Sequence, residues 1–300
     1  MQKIIPHLWL NKNAEEAVAF YTSIFNNGKI LGTAAYTEAG QEIHQMKPGS
    51  IMSINFEIEG FEFITINGGS IFTINPSISF MVHYTDKDAI GELWEKLLEG
   101  GKTLMPLDAY PFSEKYGWVQ DKYGVSWQIM LGQGTIVQTI MPSLMYTQRV
   151  AGKAEEAINL YTSTFRNGEV KMLARYPAGM PDDKEGTLMY SDFLIEGQMF
   201  AAMDSAGKHA FTFSEGVSLL VNCEDQTEID RLWEALSVDP EAEQCGWMKD
   251  KYGVSWQIVP NIMQEILRSD DTEKKNRVIA AMMPMKKIDL DVIEKAARGE

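Results

Sequence analysis

Few side chains in this sequence have the type and spacing to perform nucleophilic or acid–base chemistry. The two cysteines, Cys223 and Cys245, form no Cys-x-x-Cys pair, and no histidine lies beside either of them to activate a thiolate. We therefore interpret both as small, buried apolar side chains. Glu114 follows a Pro-Phe-Ser sequence that we predict to be a loop covering a cleft, and it is the carboxylate to test first as a general base. A solvated loop charge is the alternative for Glu114.

Two glutamines occupy equivalent positions in a repeated strand. The nine residues Asp121–Ile129 recur unchanged as Asp250–Ile258, and each copy places a glutamine between a tryptophan and an isoleucine. Because side chains alternate along a strand, Gln128 and Gln257 are predicted to point to the face opposite the tryptophans. We expect the tryptophans in the core under helices and the glutamines on a concave sheet surface. The alternative for each glutamine is a purely structural hydrogen bond to the backbone.

This repeat extends over most of the chain and defines two similar halves. Further upstream, Ala14–Ala17 recurs in sequence as Ala154–Ala157. We assign residues 1–133 to a first domain and residues 138–262 to a second, joined by a short glycine-containing linker. Residues 263–300 do not follow the repeat and form a separate tail.

Each half contains a shorter pattern twice, in the order β-α-β-β-β. In the first half, a strand at Ile4–Leu10 precedes an amphipathic helix at Ala14–Phe25, and three further strands follow. The pattern restarts with a strand at Ile78–Tyr84 and a helix capped by Asp86. The second half is expected to follow the same plan. Strands alternating with one helix per unit predict an α+β fold of four modules with antiparallel sheets.

The tail is predicted to be helical. Asp270–Glu273 has the composition of a capping box at the start of a helix that extends to about Met283. Pro284 interrupts this helix, and Asp289 can cap a final helix that ends at Ala297. We interpret the tail as packed on the body of the protein, with a dimer contact as the alternative.

Composition excludes several classes of protein. With 42 acidic and 27 basic residues, the net charge is −15, and no basic surface suited to nucleic acid is apparent. No apolar stretch is long enough to span a membrane, and the N-terminus lacks the pattern of a signal peptide. We therefore expect a cytoplasmic protein with neither nucleic-acid nor membrane partners. The 18 methionines are interpreted as adaptable core filler, with a pliable apolar pocket as the alternative.

Three features of the pattern occur together: paired β-α-β-β-β modules, Phe20-Tyr21 in the first helix, and Asp121-x-x-Gly124 before a last strand. In these features the chain resembles the vicinal oxygen chelate superfamily, which includes glyoxalase I, extradiol dioxygenases and bleomycin-resistance proteins. The finer similarity is to its PhnB-like branch, often labelled 3-demethylubiquinone-9 3-methyltransferase-like. The motifs that carry it are Pro6-His7-Leu8-Trp9, Ala14-Glu15-Glu16-Ala17, Asn67-Gly68-Gly69, Met105-Pro106-Leu107, Tyr116-Gly117-Trp118, Ser126-Trp127-Gln128 and Met285-Lys286-Lys287-Ile288-Asp289.

The resemblance implies a site on the concave face of two paired modules, where metal-using members take one ligand from each of four strands. The matching pocket positions in this sequence are His7, Ser79 and Gln128 in the first half, and Ser143, Ser218 and Gln257 in the second. Trp9 is a further candidate because it could line an aromatic pocket, with core or surface packing as the alternative. No carboxylate occupies the ligand positions, so we expect a degenerate set that holds no metal. If a divalent metal binds, His7 would hold it with Gln128, or with Gln257 where modules of different halves pair.

Three functions follow from this pattern. The first is a protein that binds a small molecule in a concave cleft, similar in shape to bleomycin-resistance proteins. The second is a divalent-metal-dependent lyase, isomerase or dioxygenase of the glyoxalase type. The third is a non-catalytic regulatory or scaffold module that forms a homodimer through the tail. We expect no methyltransferase activity, because no glycine-rich loop joins a parallel strand to a helix. Since His7 corresponds to Ser143 in the second half, we predict at most one competent site per chain.

Overall fold

The computed structural model describes residues 2–300, which form fifteen strands and eight α-helices. The first module consists of β1 (Ile4–Leu10), α1 (Ala14–Ile24), β2 (Lys29–Ala35), α2 (Gln41–His44), β3 (Ile51–Ile58) and β4 (Phe61–Asn67). The second consists of β5 (Ile78–Tyr84), α3 (Lys87–Leu98), β6 (Lys102–Tyr110), β7 (Ser113–Gln120) and β8 (Ser126–Leu131). These elements confirm the order predicted for the first half.

The second half contains the other two modules and is followed by the tail. The third module consists of β9 (Ile140–Tyr146), α4 (Ala154–Thr164), β10 (Glu169–Arg175), β11 (Leu188–Ile195) and β12 (Gln198–Asp204). The fourth consists of β13 (Val217–Cys223), α5 (Gln226–Leu236), β14 (Trp247–Lys249) and β15 (Ser255–Pro260). The tail consists of α6 (Ile262–Arg268), α7 (Thr272–Met282) and α8 (Leu290–Arg298).

The fourth module departs from the predicted plan. Its helix α5 is followed by a 3₁₀ turn at Pro240–Ala242 where the second module has strand β6, so the prediction of a further strand was wrong. The connection from α5 to β14 is shorter than that from α3 to β7, and Pro240 has no N–H to donate to a sheet. The sheet that contains the fourth module therefore ends at the three-residue strand β14.

The strands form two mixed sheets, so the prediction of antiparallel sheets was wrong: β1 pairs in parallel with β4, and β13 with β15. Each sheet joins modules from different halves of the sequence. The first sheet has the order β14-β15-β13-β1-β4-β3-β2, so it combines the first and fourth modules. The second sheet has the order β10-β11-β12-β9-β5-β8-β7-β6 and combines the second and third modules. A concave face in this protein therefore contains side chains from both halves.

The two halves meet at an antiparallel pair in the middle of each sheet. In the first sheet, β1 pairs with β13 so that His7 lies opposite Ser218. In the second sheet, β5 pairs with β9 so that Ser79 lies opposite Ser143. Four of the predicted pocket residues thus lie on the central strands, two in each sheet.

The convex faces of the two sheets pack together with the helices in a common core. Phe63 of the first sheet contacts Phe80 of the second, with ring centroids 4.9 Å apart. Trp127 and Trp256 are both 1% exposed in this core, as predicted. The carboxylate of Asp121 accepts hydrogen bonds from the Tyr21 hydroxyl at 2.8 Å and from the Trp127 indole at 2.8 Å.

The tail lies across the first sheet. Its own small core contains Met263, Ile266, Val278, Ile288 and Ile293. Asp289 caps the last helix as predicted, and Asp271, within the predicted start at Asp270–Glu273, caps α7, whereas α6 was not predicted. None of the helices formed by residues 2–300 is long and apolar enough to cross a membrane.

Candidate functional site

A buried imidazole–amide–hydroxyl network lies at the centre of the first sheet. The Gln257 side-chain amide donates to Nδ1 of His7 at 2.6 Å and to Oγ of Ser218 at 2.9 Å. His7 is contributed by β1, Ser218 by β13 and Gln257 by β15, so three strands from both halves fix the network. With Nδ1 accepting, the proton of the neutral imidazole resides on Nε2.

His7 remains uncharged in this environment. The residue is 6% exposed, and burial lowers the pKa of its imidazole to about 3 because the charged form cannot be hydrated. The ring lies beside Trp247, with centroids 5.9 Å apart. At neutral pH His7 is therefore a neutral hydrogen-bonding group.

A cavity of about 160 Å³, which we call the central cavity, lies between the concave face of the first sheet and the tail. Its floor includes His7 and Gln257, and its walls are mostly apolar. The sheet contributes His7, Ala34, Met52, Ser53, Asn55, Ile64, Ile66, Leu220, Trp247, Gln257 and Val259, the turn before β14 contributes Cys245, and the tail contributes Met263, Gln264, Leu267, Arg268 and Met282. The tail therefore covers part of a volume that the sheet alone would leave open.

A polar patch occupies one wall of the central cavity. The Asn55 amide donates to Oε1 of Glu62 at 3.2 Å and to Oε1 of Gln264 at 3.3 Å. The Arg268 guanidinium donates through Nη2 to the same Gln264 oxygen at 3.3 Å and lies 3.9 Å from the Glu62 carboxylate. Nε of Arg268 is buried and has no hydrogen-bond partner among residues 2–300. One donor of this patch is thus unused.

The second sheet repeats the glutamine–serine pair without the histidine. Gln128 donates to Oγ of Ser79 at 2.8 Å, and its carbonyl accepts from the Tyr116 hydroxyl at 2.7 Å. Burial raises the pKa of the Tyr116 phenol, so that hydroxyl keeps its proton. Ser143 takes the position of His7, and its buried hydroxyl has no partner within residues 2–300. The amide of Gln128 is consequently engaged at both ends.

The concave face of the second sheet is lined by methionines and aromatic side chains. Two apolar clusters on it contain Met81, Met105, Met130, Met141, Met145, Met199, Met203, Tyr116, Tyr190 and Trp118. The tail helices pack over the first sheet instead. The two faces are therefore lined differently, although the strands beneath them are repeats.

The remaining predicted site residues, Trp9 and Glu114, make no hydrogen bond to the His7–Gln257 network. Trp9 donates its indole N–H to the carbonyl of Gly69 at 2.9 Å and packs edge-on against Trp247, the same ring that lies beside His7. Glu114 is the second residue of strand β7, is exposed, and pairs with Lys87 at 2.7 Å. This ion pair lowers the pKa of Glu114 and makes it a weaker base. The predicted loop over a cleft is correspondingly short, because Ser113 and Glu114 already belong to the strand.

The two cysteines differ in their surroundings. Cys223 is fully buried in β13, as predicted, and burial raises the pKa of its thiol to about 12. Cys245 is half-buried and lines the central cavity, so the prediction of a core side chain was wrong for this residue. Among residues 2–300, no group of three or more His, Cys, Asp or Glu side chains is arranged to hold a metal ion.

Comparison with known proteins supports the duplication. A family model described as 3-demethylubiquinone-9 3-methyltransferase matches this chain twice, over residues 2–130 and over residues 138–259. The two matches correspond to the two sequence halves, although each sheet combines modules of both. No curated protein matches the chain.

The chain is also similar to several solved structures. A PhnB protein from Bacillus cereus is 40% identical over 44% of this chain and 100% of its own, with a TM-score of 0.40. A protein from Staphylococcus aureus is 32% identical over 44% of this chain and 98% of its own, with a TM-score of 0.19. Glyoxalase I from Zea mays is 12% identical over 89% of this chain and 95% of its own, with a TM-score of 0.54. This last likeness shows the predicted fold alone.

Proposed function

We propose that this chain, which belongs to the 3-demethylubiquinone-9 3-methyltransferase family within the vicinal oxygen chelate superfamily, binds a small molecule in the central cavity. The observation that carries the proposal is the His7–Gln257 hydrogen bond of 2.6 Å at the floor of a partly open, mostly apolar cavity. An apolar cavity with a few fixed polar groups is the usual form of a small-molecule site.

The polar groups at the floor can hold a ligand by two complementary contacts. Within residues 2–300, neither Nε2 of His7 nor the side-chain carbonyl of Gln257 makes a hydrogen bond. His7 thus offers a donor and Gln257 an acceptor, and their mutual bond fixes both orientations. The cavity volume of about 160 Å³ suits a ligand of few heavy atoms, because a cavity of roughly 150 Å³ accepts a molecule the size of benzene.

The donor set does not fit a resident divalent metal ion. Nδ1 of His7 already accepts from Gln257, and the Ser218 hydroxyl is bonded to the same amide. The residue opposite His7 on β4 is Ile64, which has no donor atom. Divalent ions in such sites require several nitrogen or oxygen ligands, usually including a carboxylate. We therefore assign no step to a metal, and we assign no methyl transfer to the chain.

The proposed site is single. In the second sheet the equivalent glutamine, Gln128, is bonded at both ends by Ser79 and Tyr116, and Ser143 replaces the histidine. No free carbonyl and imidazole pair therefore exists on that face. Both sheets contain the glutamine–serine pair, but within the described chain only the first sheet combines it with a histidine, and we place the binding site there.

The proposal is tested with a library of small polar molecules, using thermal unfolding as the first readout and titration calorimetry for each molecule that stabilises the protein. Gln257→Leu removes the amide of the central cavity, and Gln128→Leu makes the same change in the second sheet. We expect Gln257→Leu to abolish the stabilisation and Gln128→Leu to preserve it. Equal effects of both variants, or retained binding in Gln257→Leu, would refute the assignment.

Metal content is measured on the same preparations. We expect wild-type protein to contain no stoichiometric divalent metal after dialysis. Retention of one equivalent of metal that is lost in His7→Ala would replace the metal-free proposal with a metal-dependent enzyme of the glyoxalase type.

A further inference from the structure

Among the described residues, the central cavity is lined by a single formally charged side chain, Arg268, which lies within ion-pair distance of Glu62. Of the described side chains that line it, Arg268 alone carries a formal charge at neutral pH, because burial keeps His7 neutral and raises the pKa of the Cys245 thiol. The nearest carboxylate, Glu62, lies 3.9 Å from Nη2 of Arg268, beyond hydrogen-bond distance, and already accepts from Asn55. Nε of Arg268 is buried and unpaired within residues 2–300. The Arg268 side chain as a whole is 31% exposed and bonds to Gln264 through Nη2, so the unsatisfied group is the Nε donor, and buried donors in native sites are normally satisfied.

We propose that the ligand of the central cavity is a short-chain monocarboxylate whose carboxylate is bound by Arg268. This inference rests on the proposed function and names its ligand class. The guanidinium presents its donors in a fork that matches the two oxygens of a carboxylate. The remaining apolar lining, which includes Ile64, Leu220 and Met263, would contact a short hydrocarbon body.

The single charge favours a monoanion over a dianion. The guanidinium, which already lies 3.9 Å from Glu62, can compensate at most one further negative charge, and a second charge in this largely apolar volume would have no counter-ion. The protein as a whole has a net charge of −15, so long-range attraction does not help a dianion to bind. The volume of about 160 Å³ also limits the ligand to a few carbon atoms.

The tail consequently completes the site. Arg268 and Gln264 both lie on α6, outside the two sequence halves, and Gln264 accepts from Arg268 and from Asn55. The sheet provides the neutral floor with His7 and Gln257, whereas the tail provides the charge. A shared binding role explains why a helix that does not belong to the repeat covers one concave face.

The test compares propionate and pyruvate with their neutral amides, by titration calorimetry at fixed ionic strength. We expect wild-type protein to bind at least one of the two acids, and to bind it at least about tenfold more tightly than its amide. Arg268→Gln should weaken binding of the acid at least about tenfold while leaving the amide unaffected. Arg277→Gln removes an equal charge from α7, where Arg277 is exposed and donates to the carbonyl of Ala296, and should change neither affinity.

A second variant distinguishes a loss of binding from a loss of folding. Arg268→Lys keeps the charge but not the fork, and it should bind the acid with intermediate affinity. Binding of amides with equal or greater affinity than acids would overturn the carboxylate assignment and leave the proposed function intact. Failure of acids, amides and the wider library alike would overturn both. Inorganic phosphate forms a separate arm, and tighter binding of phosphate than of either acid would overturn the monocarboxylate assignment in favour of a phosphate ligand.

Discussion

Nε2 of Gln257 lies 2.6 Å from Nδ1 of His7 although the two residues are 250 positions apart in the chain. The contact joins the first module to the fourth, so it belongs to neither sequence half alone. A binding site built this way depends on the crosswise pairing of modules. The two sheets differ at this point, since the second sheet retains its glutamine–serine pair without the histidine.

Burial of His7 predicts an acid-sensitive stability. Its folded pKa is lowered to about 3, whereas an unfolded histidine titrates near 6.5. Protons therefore bind preferentially to the unfolded chain, so the stabilisation is complete above about pH 6.5 and is lost as the pH falls towards the folded pKa. Relative to His7→Gln, wild-type protein should lose up to about 1 kcal/mol of unfolding free energy per pH unit between roughly pH 6 and 4.

Urea unfolding across this pH range provides the measurement. His209→Gln serves as the matched control, because His209 lies in the loop between β12 and β13, outside the central cavity. If the free energy of unfolding changed with pH in the same way for wild-type protein and His7→Gln, the neutral, buried state of the imidazole would be contradicted.

The repeated aspartates predict a second effect on stability. Tyr21 donates to Asp121 at 2.8 Å, and Tyr161 donates to Asp250 at 2.6 Å, all four residues being buried. Tyr21→Phe and Tyr161→Phe each remove a donor from a buried carboxylate and should cost about 1–3 kcal/mol. Both variants should leave ligand affinity unchanged, because the aspartates lie on the convex side of the sheets.

Tyr123→Phe is the control for this pair, since its hydroxyl bonds to Glu16 at the surface and its loss should cost below about 0.5 kcal/mol. Equal losses in chemical unfolding for all three variants would show that the buried networks do not stabilise the core as described.

Much of the fold could be predicted from local sequence. β1 and β5 occupy the predicted residues, because each is a compact apolar run bounded by turn residues. The fold and the family were also predicted, because each motif that carries them is a short run of sequence. A cytoplasmic location and a homodimer remain predictions.

The composition of the site could be predicted only in part. His7, Ser218 and Gln257 were candidates because the repeat fixes which strand positions face the concave side. Their partnership depends on which modules pair, and two pairings satisfy the same local patterns. Arg268 and Gln264 gave no signal, since α6 lies outside the repeat and follows β15 after a single residue.

The approach of α6 to the first sheet predicts a steric effect at Gly32. A Cβ atom built on Gly32 would lie 2.7 Å from Cδ of Arg268, so the missing side chain allows this close packing. Gly32→Val should displace the Arg268 side chain and weaken binding of a small carboxylate at least about threefold. Leu31→Val on the same strand, at an exposed position, should leave binding unchanged in the same calorimetric titration. Equal affinities in Gly32→Val and wild-type protein would show that Arg268 does not need its present position.

Cys245 predicts a chemical probe of the central cavity. Its half-buried thiol lines the cavity, and burial raises its pKa, so alkylation by iodoacetamide near pH 8 should be slow but measurable. Cys223 is completely buried and should not react in the folded protein, which makes it an internal control. A bound ligand should slow alkylation of Cys245 in proportion to its occupancy, as followed by mass spectrometry of peptides. Alkylation of Cys245 that is indifferent to a saturating ligand would place that ligand outside the central cavity.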